Sequence, residues 1–219
     1  MSTAINGSAT LEDISPHPLA DLPEGTKNPL DYALTQRDGS TLAMVRAAVA
    51  HNQTLMAYQP VMRDADDPKI AFYEGFIRIL DPTGRVIPAR EFMPVVEKTQ
   101  LGREIDVLSL NAGLAALSEN KGLRLSINMS ARSIGYAGWT TLLNRWLSRD
   151  GTIGERLILE ISEKSAMQMP ELVASFMDQF QTRGVCFALD NFGSDYIAIR
   201  YLKEMFFDIL KIDGQFARG

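Results

Sequence analysis

The chain has 219 residues, 46% hydrophobic and 22% charged, with a net charge of -5 at pH 7 and a pI near 5.1. Such values belong to ordinary globular proteins and exclude a mainly disordered or fibrous chain; the acidic balance argues against the basic face that polymeric nucleic acid requires. A single cysteine, Cys186, excludes an internal disulfide framework.

No apolar run approaches the roughly 18 residues of a membrane-spanning helix. Met1–Pro18 lacks a basic segment followed by an apolar one, so no secretory signal and a cytoplasmic location are expected. Residues 1–40 carry Pro16, Pro18, Pro23 and Pro29 with Gly7, Gly25 and Gly39, and show no sustained apolar period. They read as a flexible tail with a weak helical turn at Asp31–Gln36, leaving 41–219 as the folded domain. Ser40 or Thr41 then suits the cap of a helix running through Asn52.

Beyond that point strand-like and helix-like segments alternate. Strands are expected at Leu55–Val61, Ile70–Leu80, Leu123–Asn128, Arg156–Ile161, Val185–Asp190 and Ile209–Ile212. Helices are expected at Ala89–Glu97, Arg103–Glu119, Thr140–Ser148, Pro170–Arg183 and Tyr196–Met205, with Pro170 in a first turn and Gly184 at a stop. The strands are nearly continuous in apolar residues, as parallel strands covered on both faces are. The alternation fits a doubly wound sheet or a (β/α)₈ barrel, and six strands fit an open sheet or a barrel lacking its last two.

The informative residues are the polar ones that interrupt those strands. Asn128 closes one strand, Glu160 lies late in the next, Asp190 closes a third, Lys211 lies late in a fourth, and Glu74 and Arg78 sit inside an otherwise apolar run. One acid at a strand end usually caps a helix or faces solvent. A succession on consecutive strands points instead to a site at the carboxyl ends of a sheet, and its oxygen donors suit Mg²⁺, Mn²⁺ or Ca²⁺. The two histidines, His17 and His51, are too far apart to read as a metal pair.

The motifs resemble the EAL family of cyclic di-GMP phosphodiesterases from about Tyr58 onward. Tyr58-Gln59-Pro60 is similar to the family's first strand, and Glu74-Gly75-Phe76-Ile77-Arg78 matches E-x-L-x-R with Ala-Leu replaced by Gly-Phe. Glu91-Phe92-Met93-Pro94, Asn128-Met129-Ser130, Leu159-Glu160-Ile161-Ser162-Glu163, Asp190-Asn191-Phe192-Gly193 and Leu210-Lys211-Ile212-Asp213 follow in family order.

The resemblance implies a TIM-like barrel of the EAL type, with about six of eight strands present. It also implies metal-dependent opening of cyclic di-GMP to pGpG, with Mg²⁺ or Mn²⁺ as cofactor and Ca²⁺ as an inhibitory substitute. Glu74, Asn128, Glu160 and Asp190 would hold one ion; Asp190, with Asn191 beside it, would reach a second. Lys211 would orient water or phosphate, Glu163 would support the loop after Asp190, and Gln59, Phe76 and Arg78 would contact the nucleotide.

Asn191 stands where active members carry a second Asp, and Asp195 replaces a loop glycine. The strand–helix units expected after Gly219, which would add a further Glu and a Gln, are not in the sequence. The expected function is therefore a degenerate module that binds cyclic di-GMP or a protein partner, a second copy of the chain among the candidates, with little hydrolysis; the alternative is an active phosphodiesterase. No membrane partner is expected.

Overall fold

A computed structural model describes residues 28–63, 66, 68–194 and 203–216. By internal contacts the chain divides between Thr41 and Leu42. Helix α1, Pro29–Ala50, runs through this boundary without a break. The helix starts at Asn28, whose Oδ1 accepts the Asp31 backbone N–H at 2.9 Å, with proline at the first helical position. The expected start at Ser40 or Thr41 is not found, because both hydroxyls donate back to the Arg37 carbonyl within the helix, at 2.7 and 3.0 Å. Of the tail expected over residues 1–40, residues 1–27 lie outside the described residues, and Pro29–Ser40 belong to α1 instead.

Strands β1 (Thr54–Met62) and β2 (Ile70–Leu80) pair antiparallel, and β3 (Val86–Pro88) pairs antiparallel with the end of β2. The expectation of parallel strands throughout fails here because the β1–β2 link is too short for a crossover. From β2 onward the sheet is parallel: β4 (Leu125–Asn128), β5 (Leu157–Ser162), β6 (Cys186–Phe192) and β7 (Ile209–Ile212) follow in spatial order. Helices α2 (Ala89–Val96), α3 (Gln100–Glu119), α4 (Ala137–Arg149), α5 (Glu163–Ala166) and α6 (Pro170–Gln181) lie between the strands in sequence. The helix expected at Tyr196–Met205, and the altered loop at Asp195, fall mainly outside the described residues; Lys203–Met205 form a turn.

Strand alternation sorts the core into two sides. Leu125, Ile127, Leu157, Leu159, Ile161, Phe187 and Leu189 face the largest apolar cluster, built with α3, α4 and α6. Phe72, Ile158 and Ala188 form a small separate cluster on the other side, and the polar site residues continue along it. Among the described residues the sheet stays open, from β1 at one edge to β7 at the other. No helix there is long and apolar enough to cross a membrane.

Candidate functional site

The strand register sets the site. Gln59 pairs with Glu74 across β1–β2, Asn128 pairs with Glu160 across β4–β5, and Ser162 pairs with Asp190 across β5–β6. Polar side chains from successive strands thus fall at neighbouring heights on the inner face. Lys211 Nζ donates to Glu74 Oε2 and Glu160 Oε2, both at 2.7 Å, and lies 3.6 Å from Asp190 Oδ1. Asn128 Nδ2 donates to Glu74 Oε1 at 3.1 Å. Five residues from five strands therefore make one connected cluster.

Its electrostatics are set by carboxylates gathered around one ammonium. Burial, and then the Glu74 carboxylate, push the Glu160 acid above its usual range, and Lys211 opposes them. Burial alone would lower the Lys211 pKa, but Glu160 and Glu74 outweigh it and raise it. One ammonium faces three carboxylates, so negative charge is left over. Glu160 Oε1 is buried with no hydrogen-bond partner.

Among the described residues no three His, Cys, Asp or Glu side chains already surround a single metal position, because the acids converge on Lys211. The donor set still fits a hard divalent cation: it is all oxygen, carries excess negative charge and includes that unpartnered carboxylate atom.

Above the cluster opens a cavity of about 610 Å³. Gln59, Phe76, Arg78, Asn128, Asp190 and Asn191 line it, whereas Glu74, Glu160, Lys211 and Glu163 do not. The cluster meets the cavity through Asn128 and Asp190. Arg78 lies over the Phe76 ring, 5.6 Å from its centroid. Asn191 takes the left-handed backbone conformation at φ 56°, which asparagine tolerates, and its Nδ2 donates to Asp190 Oδ2 at 3.0 Å. Glu163 is fully buried at the start of α5 and accepts the Gly193 N–H at 2.7 Å, tying down the turn after Asn191.

The EAL domain family profile matches residues 42–219. The chain belongs to the EAL domain family. A cyclic di-GMP phosphodiesterase, PdeB of Shewanella oneidensis, is 29% identical over 226 residues, covering 98% of this chain and 26% of the relative. Another, PdeF of Escherichia coli, is 26% identical over 179 residues, covering 80% of this chain and 24% of its own length. The chain thus spans about a quarter of the length of these curated relatives.

Among solved structures, the PaMucR phosphodiesterase in complex with c-di-GMP matches with a TM-score of 0.67 and 26% identity, over 82% of this chain and 76% of that one. The FimX EAL domain of Pseudomonas aeruginosa, bound to c-di-GMP, matches with a TM-score of 0.70 and 24% identity, over 82% and 74%. The fold is that of the TIM-like EAL barrel, here an incomplete one.

Sequence reasoning missed two residues of this EAL site. Arg90, at the start of α2, lines the cavity as a second arginine beside Arg78. Asp106 also lines it; buried on α3, it accepts the Ser130 N–H at 3.0 Å and the Ser133 hydroxyl at 2.6 Å, fixing the loop after β4. Asp106 was findable: it shares a helical face with Gly102, Leu110 and Gly113, where a charged residue among small and apolar ones needs a partner.

Proposed function

We propose that this EAL domain binds cyclic di-GMP in the cavity beside Asn128 and Asp190 and turns it over little or not at all. The cavity volume lies within the range of small-ligand sites, and its mixture of aromatic, arginine and amide groups suits a nucleotide. The solved PaMucR relative holds c-di-GMP, which supports the same ligand here. Arg78 offers a planar donor fork for a phosphate or a guanine edge, and Phe76 backs it. Gln59 lines the same wall, and Glu163 keeps the Gly193 turn in place.

Glu74, Asn128, Glu160 and Asp190 would hold one Mg²⁺ or Mn²⁺. Bound there, the ion would polarise a phosphoryl oxygen and lower the pKa of a water. Lys211 holds Glu74 and Glu160 together and places its ammonium where developing negative charge can be met.

The observation that carries the low-turnover reading is Asn191. It brings no negative charge and gives an N–H to Asp190 Oδ2, engaging the carboxylate oxygen that a second ion would need. A domain of this kind acts by presenting its ligand-bound state to a second copy or another protein. The second reading, an active phosphodiesterase, is favoured by the complete set Glu74, Asn128, Glu160, Asp190 and Lys211 in contact.

Calorimetric titration with cyclic di-GMP tests the binding claim. The unmodified chain should bind, and Arg78→Ala should weaken binding about tenfold or more, the scale of a lost charge-assisted contact. No binding by the unmodified chain, or equal binding by the variant, would contradict the claim.

A further inference from the structure

A small second cavity, about 40 Å³, adjoins the first and shares Glu97, Ser130, Ser162 and Ser165 with it. It lies beyond the acidic cluster along the strands. Ser130 follows Asn128 by two residues and Ser162 follows Glu160 by two, a step of roughly 7 Å along a strand toward its carboxyl end. Three cations rim it: Lys98 from the α2–α3 turn, Arg132 from the turn after β4, and Lys164 from α5. All three are exposed, and none makes an ion pair among the described residues.

The hydroxyls of the notch are arranged to donate. Ser130 Oγ accepts the Arg132 N–H at 3.2 Å, Ser162 Oγ accepts the Ser165 N–H at 3.3 Å, and Ser165 Oγ accepts the Ala131 N–H at 2.8 Å. Each oxygen is held by a backbone group, and no acceptor for its own O–H is found among the described residues. Gln168 adds an amide to the lining. Three cations and three available hydroxyl protons against the single carboxylate of Glu97 describe an anion subsite, in a chain whose net charge is -5.

We propose that this notch binds a phosphate group, and specifically the terminal phosphomonoester of a linear guanine dinucleotide whose remainder lies in the larger cavity. Three positive charges against one negative leave an excess that matches a phosphate dianion. A cyclic dinucleotide carries only singly charged diesters, closed within its ring. The linear dinucleotide has the extra dianion and a free end to reach the notch. The inference rests on the cyclic di-GMP reading of the larger cavity, which it extends to a preference for the opened nucleotide.

The test compares the unmodified chain with Lys98→Gln/Arg132→Gln/Lys164→Gln at low ionic strength. Calorimetric titrations use cyclic di-GMP, linear pGpG and inorganic pyrophosphate. The expected result is a loss of about tenfold or more for pGpG, with cyclic di-GMP changed by less than about threefold, the difference expected of partly screened charge contacts. A matching loss for pyrophosphate supports the phosphate chemistry. Loss for pyrophosphate with pGpG unaffected overturns the dinucleotide assignment and gives the notch to free phosphate. Unchanged affinity for both, or no binding of either by the unmodified chain, overturns the subsite altogether. Failure of cyclic di-GMP alone to bind the unmodified chain counts against the larger-cavity reading, so the two failures are distinct. Circular dichroism of the triple variant should match the unmodified chain, since the replaced side chains are exposed.

Discussion

Lys211 is the residue on which the inner face depends. Its ammonium holds two carboxylates, of which the Glu160 side chain is wholly buried and that of Glu74 nearly so. Removing it leaves like charges facing each other out of water. Lys211→Met should therefore cost about 3 kcal/mol of stability by urea unfolding, the scale for breaking a buried pair. Mn²⁺ should restore part of that loss, because an ion that binds only the folded state stabilises it. A variant as stable as the parent, and indifferent to Mn²⁺, would show that the carboxylates are already neutral. At this scale the sequence was legible wherever a polar residue broke an apolar strand, as Glu74, Asn128, Glu160, Asp190 and Lys211 do. It was silent on which of them touch, since spacing along a strand does not tell which oxygen Lys211 takes.

At the scale of elements, α3 and the turns around β4 and β5 hold the site in place. Burial pushes the Asp106 acid up to about 6, against the hydrogen bonds from Ser133 and Ser130 that lower it. In the unfolded chain the group titrates near 3.8. Between these values the folded state holds a proton that the unfolded state has lost, so stability falls as pH rises from about 4 to about 6 and stays lower above. Asp106→Asn keeps an oxygen acceptor without the charge. It should flatten that fall and gain about 2 kcal/mol at pH 7 by denaturant unfolding; an unchanged pH profile would remove Asp106 as its source. Gly154, in the turn before β5, packs against the Arg183 carbonyl, where a Cβ would collide with backbone. Gly154→Ala should cost about 2 kcal/mol in the same assay, a typical overpacking cost. Elements with a clear period or punctuation, such as α6 between Pro170 and Gly184 (φ 85°), were legible in the sequence. β3 and α5 were not, being too short to show a period. The continuous α1 was hidden because Gly39 and Ser40 read as a break, while the Asn28 cap lay further upstream.

For the whole molecule, the parallel character of the sheet from β2 to β7 was legible in the alternation of apolar strands and helices, but that alternation suits a doubly wound sheet as well as a barrel, and the sequential strand order became visible only in the structure. The antiparallel β1 was not legible because strand direction depends on the length of a link, not on the strand's own residues. The proposed function also belongs to the whole molecule: the cavity would accept cyclic di-GMP, while the charge around Asp190 and Asn191 would be too small for efficient hydrolysis. Chromatography of cyclic di-GMP incubated with the 219-residue chain and Mn²⁺, at protein concentrations where calorimetry has shown it bound, tests that claim most directly. The intact cyclic dinucleotide should be recovered with no detectable pGpG; robust Mn²⁺-dependent formation of pGpG by the unmodified chain would contradict the low-turnover reading.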